Sequence, residues 1–171
     1  MLIIVIQQID YAEMKLDSID RRILAALQRN GRLTNVELAE EVGLSPSPCL
    51  RRVRLLEDAG IIDGYHASLE RKGIGLGLTV FVDVKVSRHT GESESAFREA
   101  VLKLPEIVSC HLVSGESDFL LQVVVSDLAG YERFLIGTLL KLPLVASIRS
   151  NFAIQTVKAA AELPLDHLPV D

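Results

Sequence analysis

Residues 34–50 read Thr34-Asn35-Val36-Glu37-Leu38-Ala39-Glu40-Glu41-Val42-Gly43-Leu44-Ser45-Pro46-Ser47-Pro48-Cys49-Leu50, and their reading decides the fold of the N-terminal half. Thr34 followed three positions later by Glu37 is a capping box, in which each side chain satisfies a free amide of the other residue. Val36, Leu38, Ala39 and Val42 follow, then Gly43, which can end a helix in the left-handed conformation without a side-chain clash. The predicted helix is little more than two turns long. The turn Gly43-Leu44-Ser45-Pro46 then leads into another helix, starting at Ser45-Pro46 or half a turn later at Ser47-Pro48. Short helix, glycine turn and proline-started helix is the spacing of a helix-turn-helix.

The flanks agree with that reading. Upstream, Asp17 can cap a helix in which Leu16, Ile19, Ile23 and Leu27 recur at helical spacing, with Asn30-Gly31 as its stop. Downstream, Cys49, Leu50, Val53 and Leu56 share one arc of the third helix, and Ser47, Arg51, Arg54 and Asp58 share another. After Gly60, the run Ile61-Ile62-Asp63-Gly64-Tyr65-His66-Ala67-Ser68-Leu69 is expected to form two strands turning at Asp63-Gly64 or just beyond Tyr65, a wing. Arginine forks suit guanine edges and phosphates, so Ser45, Ser47, Arg51, Arg52 and Arg54 are the candidate DNA contacts. The plainer reading of such arginines is a solvated helix face; the surrounding caps, turn and wing favour the functional one.

The 171 residues, 49% hydrophobic and 24% charged, describe a globular protein with room for two domains. A net charge of −5 speaks against nucleic acid only if it is evenly spread. Residues 14–72 instead hold 10 basic and 9 acidic side chains, and the acidity lies elsewhere. DNA contact must therefore come from a local group of arginines. Cys49 and Cys110 stand alone, with no metal-ligand spacing or disulfide framework, and no metal or other cofactor is expected. The apolar run Leu2–Ile6 is far shorter than the roughly 20 residues a membrane span needs, so a cytoplasmic location without a membrane partner is expected. Residues 1–15 read as an N-terminal extension, with Met14 resembling a start; 16–69 as the DNA-binding domain; 70–77 as a glycine-rich linker; 78–158 as a second domain; 159–171 as a tail.

In the second domain, Thr79 to Ser87 alternates Val80, Val82, Val84 and Val86 against Thr79, Phe81, Asp83 and Lys85, the period of a strand with one buried face. Leu102-Lys103-Leu104-Pro105 is echoed 38 positions on by Leu140-Lys141-Leu142-Pro143. Each copy ends a helix (97–104 and 128–142) that follows a strand (79–87 and 119–125). Two strand-helix-strand copies predict a ferredoxin-like βαββαβ sheet with both helices on one face, making the whole chain α+β. Phe81, Cys110, Leu112, Phe152 and Ile154 are assigned to the other face, which a second subunit would cover. Such a homodimer would set two reading heads one DNA turn apart.

Leu16-Asp17 with Asp20, Asn35-Val36-Glu37-Leu38-Ala39, Val42-Gly43-Leu44-Ser45-Pro46 and Gly60-Ile61-Ile62-Asp63-Gly64-Tyr65 resemble the leucine- and asparagine-responsive (Lrp/AsnC, feast/famine) transcriptional regulators, over about residues 16–157. The resemblance implies binding of double-stranded DNA by dimers that assemble into tetramers or octamers. It also implies an amino-acid effector held by a Gly-x-x-Asp motif at an interface between dimers. Leu55 departs from the family pattern, which more often has a basic residue there.

The motif falls on Gly115 and Asp118. A turn of this composition is ordinarily only a hairpin; the resemblance makes Leu112, Val113, Ser114, Gly115 and Asp118 the candidate effector residues. Flanking apolar residues suggest leucine, methionine or a similar amino acid. Two other readings stand beside this one. A related group on the same two domains contains tetrapyrrole (sirohaem-type) decarboxylases, but His66, His89, His111 and His167 are scattered and form no catalytic set, so no enzyme is expected. A protein that binds effector without DNA is the other.

Overall fold

The structure is a computed structural model of the chain, described for residues 15–87, 91–142, 144–159 and 161–170. All of the N-terminal extension except Lys15, and His89, lie outside the described residues. The described residues fall into two compact units: one holds those up to Ala67 together with those from Lys158 onward, and the other those within Ser68–Val157.

In the first unit α1 (Ser18–Arg29), α2 (Asn35–Val42) and α3 (Pro46–Asp58) follow in order. Asp17 caps α1, accepting from the amides of Ile19 and Asp20, while Asp20 returns the bond to the Asp17 amide. Thr34 and Glu37 form the same reciprocal box at α2. Gly43 closes α2 with φ +71°, in the left-handed region that a side chain disfavours. Ser45 and Pro46, not Ser47 and Pro48, open α3. Ile23, Ala26, Leu38, Ala39, Val42, Cys49, Val53 and Leu56 make the core of this unit. A fully buried side chain such as Leu56 contributes about 2 kcal/mol by its removal from water.

The expected wing strands do not form: residues 63–70 carry no strand. An isolated two-stranded ribbon gains too little from its own pairing to persist without packing. Ile61 and Ile62 instead turn back onto the core, their amides donating to the Leu56 carbonyl. Tyr65 then lies against Gly31 and donates its hydroxyl to Glu57 at 3.0 Å.

The second unit has β1 (Leu78–Val86), α4 (Gly91–Val101), β2 (Ile107–Leu112), β3 (Phe119–Val125), α5 (Leu128–Gly137) and β4 (Val145–Phe152). The strand order is β2-β3-β1-β4, antiparallel throughout. This is the expected βαββαβ sheet. α5 is shorter than its apolar spacing suggested, giving way to a single 3-10 turn at Leu139–Lys141. Val80, Val82, Val84, Phe119, Leu121 and Val123 pack beneath Phe97, Val101, Tyr131 and Phe134.

The assignment of residues to the open face needs correction. Cβ atoms of residues paired across a ladder point to the same side. Cys110 pairs with Leu121, Leu112 with Phe119 and Phe152 with Val80, all on the helix-covered side. Phe152 there meets the Tyr131 ring edge-on at 5.4 Å. In β2 a bulge between Ile107 and Ser109 shifts the pairing by one residue and inverts the alternation beyond it. Ile154 lies past the end of β4, fully exposed. Phe81 alone of the five is on the open face, among Asp83, Gln122, Arg149 and Asn151.

Candidate nucleic-acid interface and effector turn

The outer surface of α3 is set by what its inner surface buries. With Cys49, Val53 and Leu56 facing the core, Ser47, Leu50, Arg51, Arg54, Leu55 and Asp58 are exposed. Ser45 is exposed at the N-cap, and its hydroxyl makes no capping bond. Arg51 and Arg54, three residues apart, project from one face.

Arg52 differs from both. Its Nη1 lies 2.8 Å from Asp20 Oδ1 and 2.9 Å from Asp17 Oδ2, so its guanidinium is spent on the first turn of α1. Asp20 is almost fully buried and would be costly to bury without a cation. The hydrogen bond to Asp20 is also the largest influence raising Arg52 above its ordinary pKa. Hydrogen bonding to the Asp20 amide, with help from Arg52, lowers the Asp17 carboxyl. The expected DNA contact at Arg52 is thus, in this structure, a brace between α1 and α3. Spacing could not reveal this, because the partners lie 32 and 35 positions away. A second cross-link escaped the sequence reading: Asn35 Nδ2, at the start of α2, donates to the Pro46 carbonyl at the start of α3, 2.9 Å away.

In the second unit, Leu112 is half-exposed, Val113 partly buried and Ser114 exposed. Gly115 has φ +139°, so a side chain there would be strained although space is available for a Cβ. Asp118 is a pin for this turn. Its Oδ2 accepts from the Val86 amide at 2.8 Å, its own amide donates to the Val84 carbonyl, and its carbonyl accepts from Val113. Beside the turn, Arg98, Val101, Leu102, Cys110, His111, Leu112 and Phe119 line a largely apolar cavity of about 440 Å³. Arg98 was absent from the candidate set because α4 meets the edge strand only through tertiary packing. On the open face, Arg149 joins Asp83 at 3.1 Å and the turn residue Glu116 at 3.7 Å. No group of three His, Cys, Asp or Glu with metal-site geometry occurs among the described residues, and none of their helices is long and apolar enough to cross a membrane.

A helix-turn-helix with an exposed cationic recognition helix, joined to a ferredoxin-like domain, defines a DNA-binding transcriptional regulator. Family models agree: residues 16–63 match a winged helix-turn-helix DNA-binding model and residues 79–163 the Lrp/AsnC ligand-binding domain. The leucine-responsive regulatory proteins of Klebsiella pneumoniae and Escherichia coli K12 are each 47% identical over 148 residues, 86% of this chain and 90% of theirs. A transcriptional regulator from Neisseria meningitidis, solved as a complex with L-Met, superposes with a TM-score of 0.85 at 45% identity, covering 89% of this chain and 98% of that one. An AsnC family regulator from Agrobacterium tumefaciens gives 0.84 at 38% identity, covering 89% and 99%. The chain belongs to the Lrp/AsnC family of transcriptional regulators.

Proposed function

We propose that this regulator reads double-stranded DNA with Arg51 and Arg54 of α3, assisted by Ser45 and Ser47, and adjusts that binding to a small apolar amino acid held by the turn 112–118 and the cavity beside it. The observation that carries the DNA reading is the division of labour among adjacent arginines. Arg51 and Arg54 are exposed on the recognition helix, while Arg52 is drawn onto Asp17 and Asp20. For the effector, the cavity combines apolar walls with the cationic Arg98, a chemistry suited to an amino acid whose side chain is apolar and whose α-carboxylate meets the guanidinium. The L-Met complex of the Neisseria regulator supports an amino acid of this class. Asp118 acts by holding the turn on β1, and Gly115 keeps the turn backbone open to approach. Leucine and methionine are the first ligands to test. No cofactor takes part, and no catalysis is assigned.

The active species is a homodimer through the open sheet face around Phe81, assembling further into tetramers or octamers, so that several modestly charged heads bind together. A thermal-shift screen of the twenty amino acids tests the effector reading, because a ligand that binds only the folded state raises the midpoint. An apolar amino acid is expected to stabilise the chain, and Leu112→Glu to abolish the shift. If no amino acid moves the midpoint, the effector assignment is wrong. Salt-titrated retardation of duplex DNA tests the other half, since phosphate contacts make affinity fall steeply with salt.

A further inference from the structure

We propose that residues 163–168 are a docking peptide for the outer face of α1, so that the DNA-binding unit is a domain of two segments, the second of which follows the ferredoxin-like unit in the chain. Arg21 Nε donates to the Leu165 carbonyl at 3.0 Å, and its Nη2 meets the Asp166 carboxylate at 2.9 Å. Two turns further along α1, the Gln28 amide pairs with the Leu163 backbone in both directions. It accepts from the Leu163 N–H at 2.7 Å and donates to the Leu163 carbonyl at 3.3 Å. Arg21 and Gln28 lie seven residues apart, about 10 Å along one helix face, a distance that about three extended residues span. The segment therefore runs antiparallel to α1, in register with its two polar anchors.

Between and beyond these anchors Leu165 and Leu168 are partly buried, and the Leu168 amide donates to the Leu165 carbonyl at 3.0 Å, closing a turn. A segment without regular secondary structure is ordinarily poorly ordered unless side chains tie it down. Here an arginine fork, an amide matched to a backbone and two leucines do so. The partner chemistry is specific: an apolar Leu-Pro-Leu run followed by a carboxylate, read by a cation and a primary amide.

The connectivity gives the docking a consequence. Val80 pairs with Phe152 and the Ala153 amide donates to the Thr79 carbonyl at 3.0 Å, so the chain enters and leaves the second unit on adjacent strands. That unit is thereby inserted between the two segments of the first, which are joined to it by two crossings.

Hydrogen exchange on the chain shortened after Val157, compared with the full chain, tests the proposal. Amides of α1 between Arg21 and Gln28 are expected to exchange about tenfold faster without the segment, and a synthetic peptide of residues 158–171 to restore their protection. The peptide should fail on a shortened chain carrying Arg21→Ala and Gln28→Ala. Unchanged α1 exchange on shortening, or peptide protection that survives both substitutions, overturns the proposal. Should the shortened chain not fold, the same two substitutions in the full chain must speed exchange at the Leu163 and Leu168 amides; unaltered exchange there overturns it equally.

Discussion

Arg52 Nη1 stands 2.8 Å from Asp20 Oδ1, joining the third helix to the first through the one charged residue that is buried among the described residues. The neighbouring Arg51 and Arg54 face solvent. Three arginines within four positions thus have two different physical roles, and substitution separates them.

Arg52→Ala leaves the Asp20 carboxylate buried without its cation and is expected to destabilise the protein by about 2–3 kcal/mol, read by urea denaturation. Arg51→Ala and Arg54→Ala should leave stability within about 0.5 kcal/mol. Each should instead reduce the slope of log affinity against log salt by about 0.9 on duplex DNA. A salt slope that drops for Arg52→Ala at unchanged stability would reverse the assignment.

Gly43→Ala tests the turn between α2 and α3. No atom lies within 4 Å of the added Cβ, so steric contact is not at issue; the left-handed φ of +71° is. A loss of about 1 kcal/mol is expected, with Gly43→Asn costing less because asparagine tolerates this region better. Thermal midpoints of the two variants and the parent decide it; equal midpoints would show that the turn carries no such constraint.

Acid should weaken the first unit through its caps. Asp17 is held below its ordinary 3.8 chiefly by the Asp20 amide, and Glu37 below its ordinary 4.5 chiefly by the Thr34 amide. A carboxyl depressed on folding adds stability that is present above its unfolded pKa and disappears as pH falls through its folded one. Stability is therefore expected to be steady down to about pH 5 and to decline below pH 4. In Asp17→Asn with Glu37→Gln the decline should be shallower, as followed by helical circular dichroism against urea at each pH.

Phe81→Arg tests assembly. Phe81 is the aromatic residue at the centre strand of the open face, beside the Asp83–Arg149 pair. A second cation there would oppose Arg149 and remove apolar area from a pairing surface. Sedimentation equilibrium should report a smaller species than for the parent, with the monomer fold intact by circular dichroism. An unchanged mass would exclude this face as the interface.

Local chemistry wrote much of this protein directly into the chain. The cap at Asp17, the box at Thr34–Glu37, the glycine at position 43, the alternating valines of β1 and the repeated Leu-Lys-Leu-Pro depend on neighbours within four residues or on a fixed period. They were legible one window at a time. Tertiary structure decided whatever depends on partners distant in sequence. Arg51 and Arg52 look alike until Asp20, 32 positions before Arg52, takes one of them. Cys110 and Leu112 change sides because a bulge, visible only against β3, inverts the alternation of β2. The wing residues lack strands because a ribbon without packing gains too little. Leu163 to Leu168 read as a tail until α1 supplies a surface for it. Propensity and periodicity are properties of a segment, whereas pairing, burial and charge compensation belong to the contacts the fold makes.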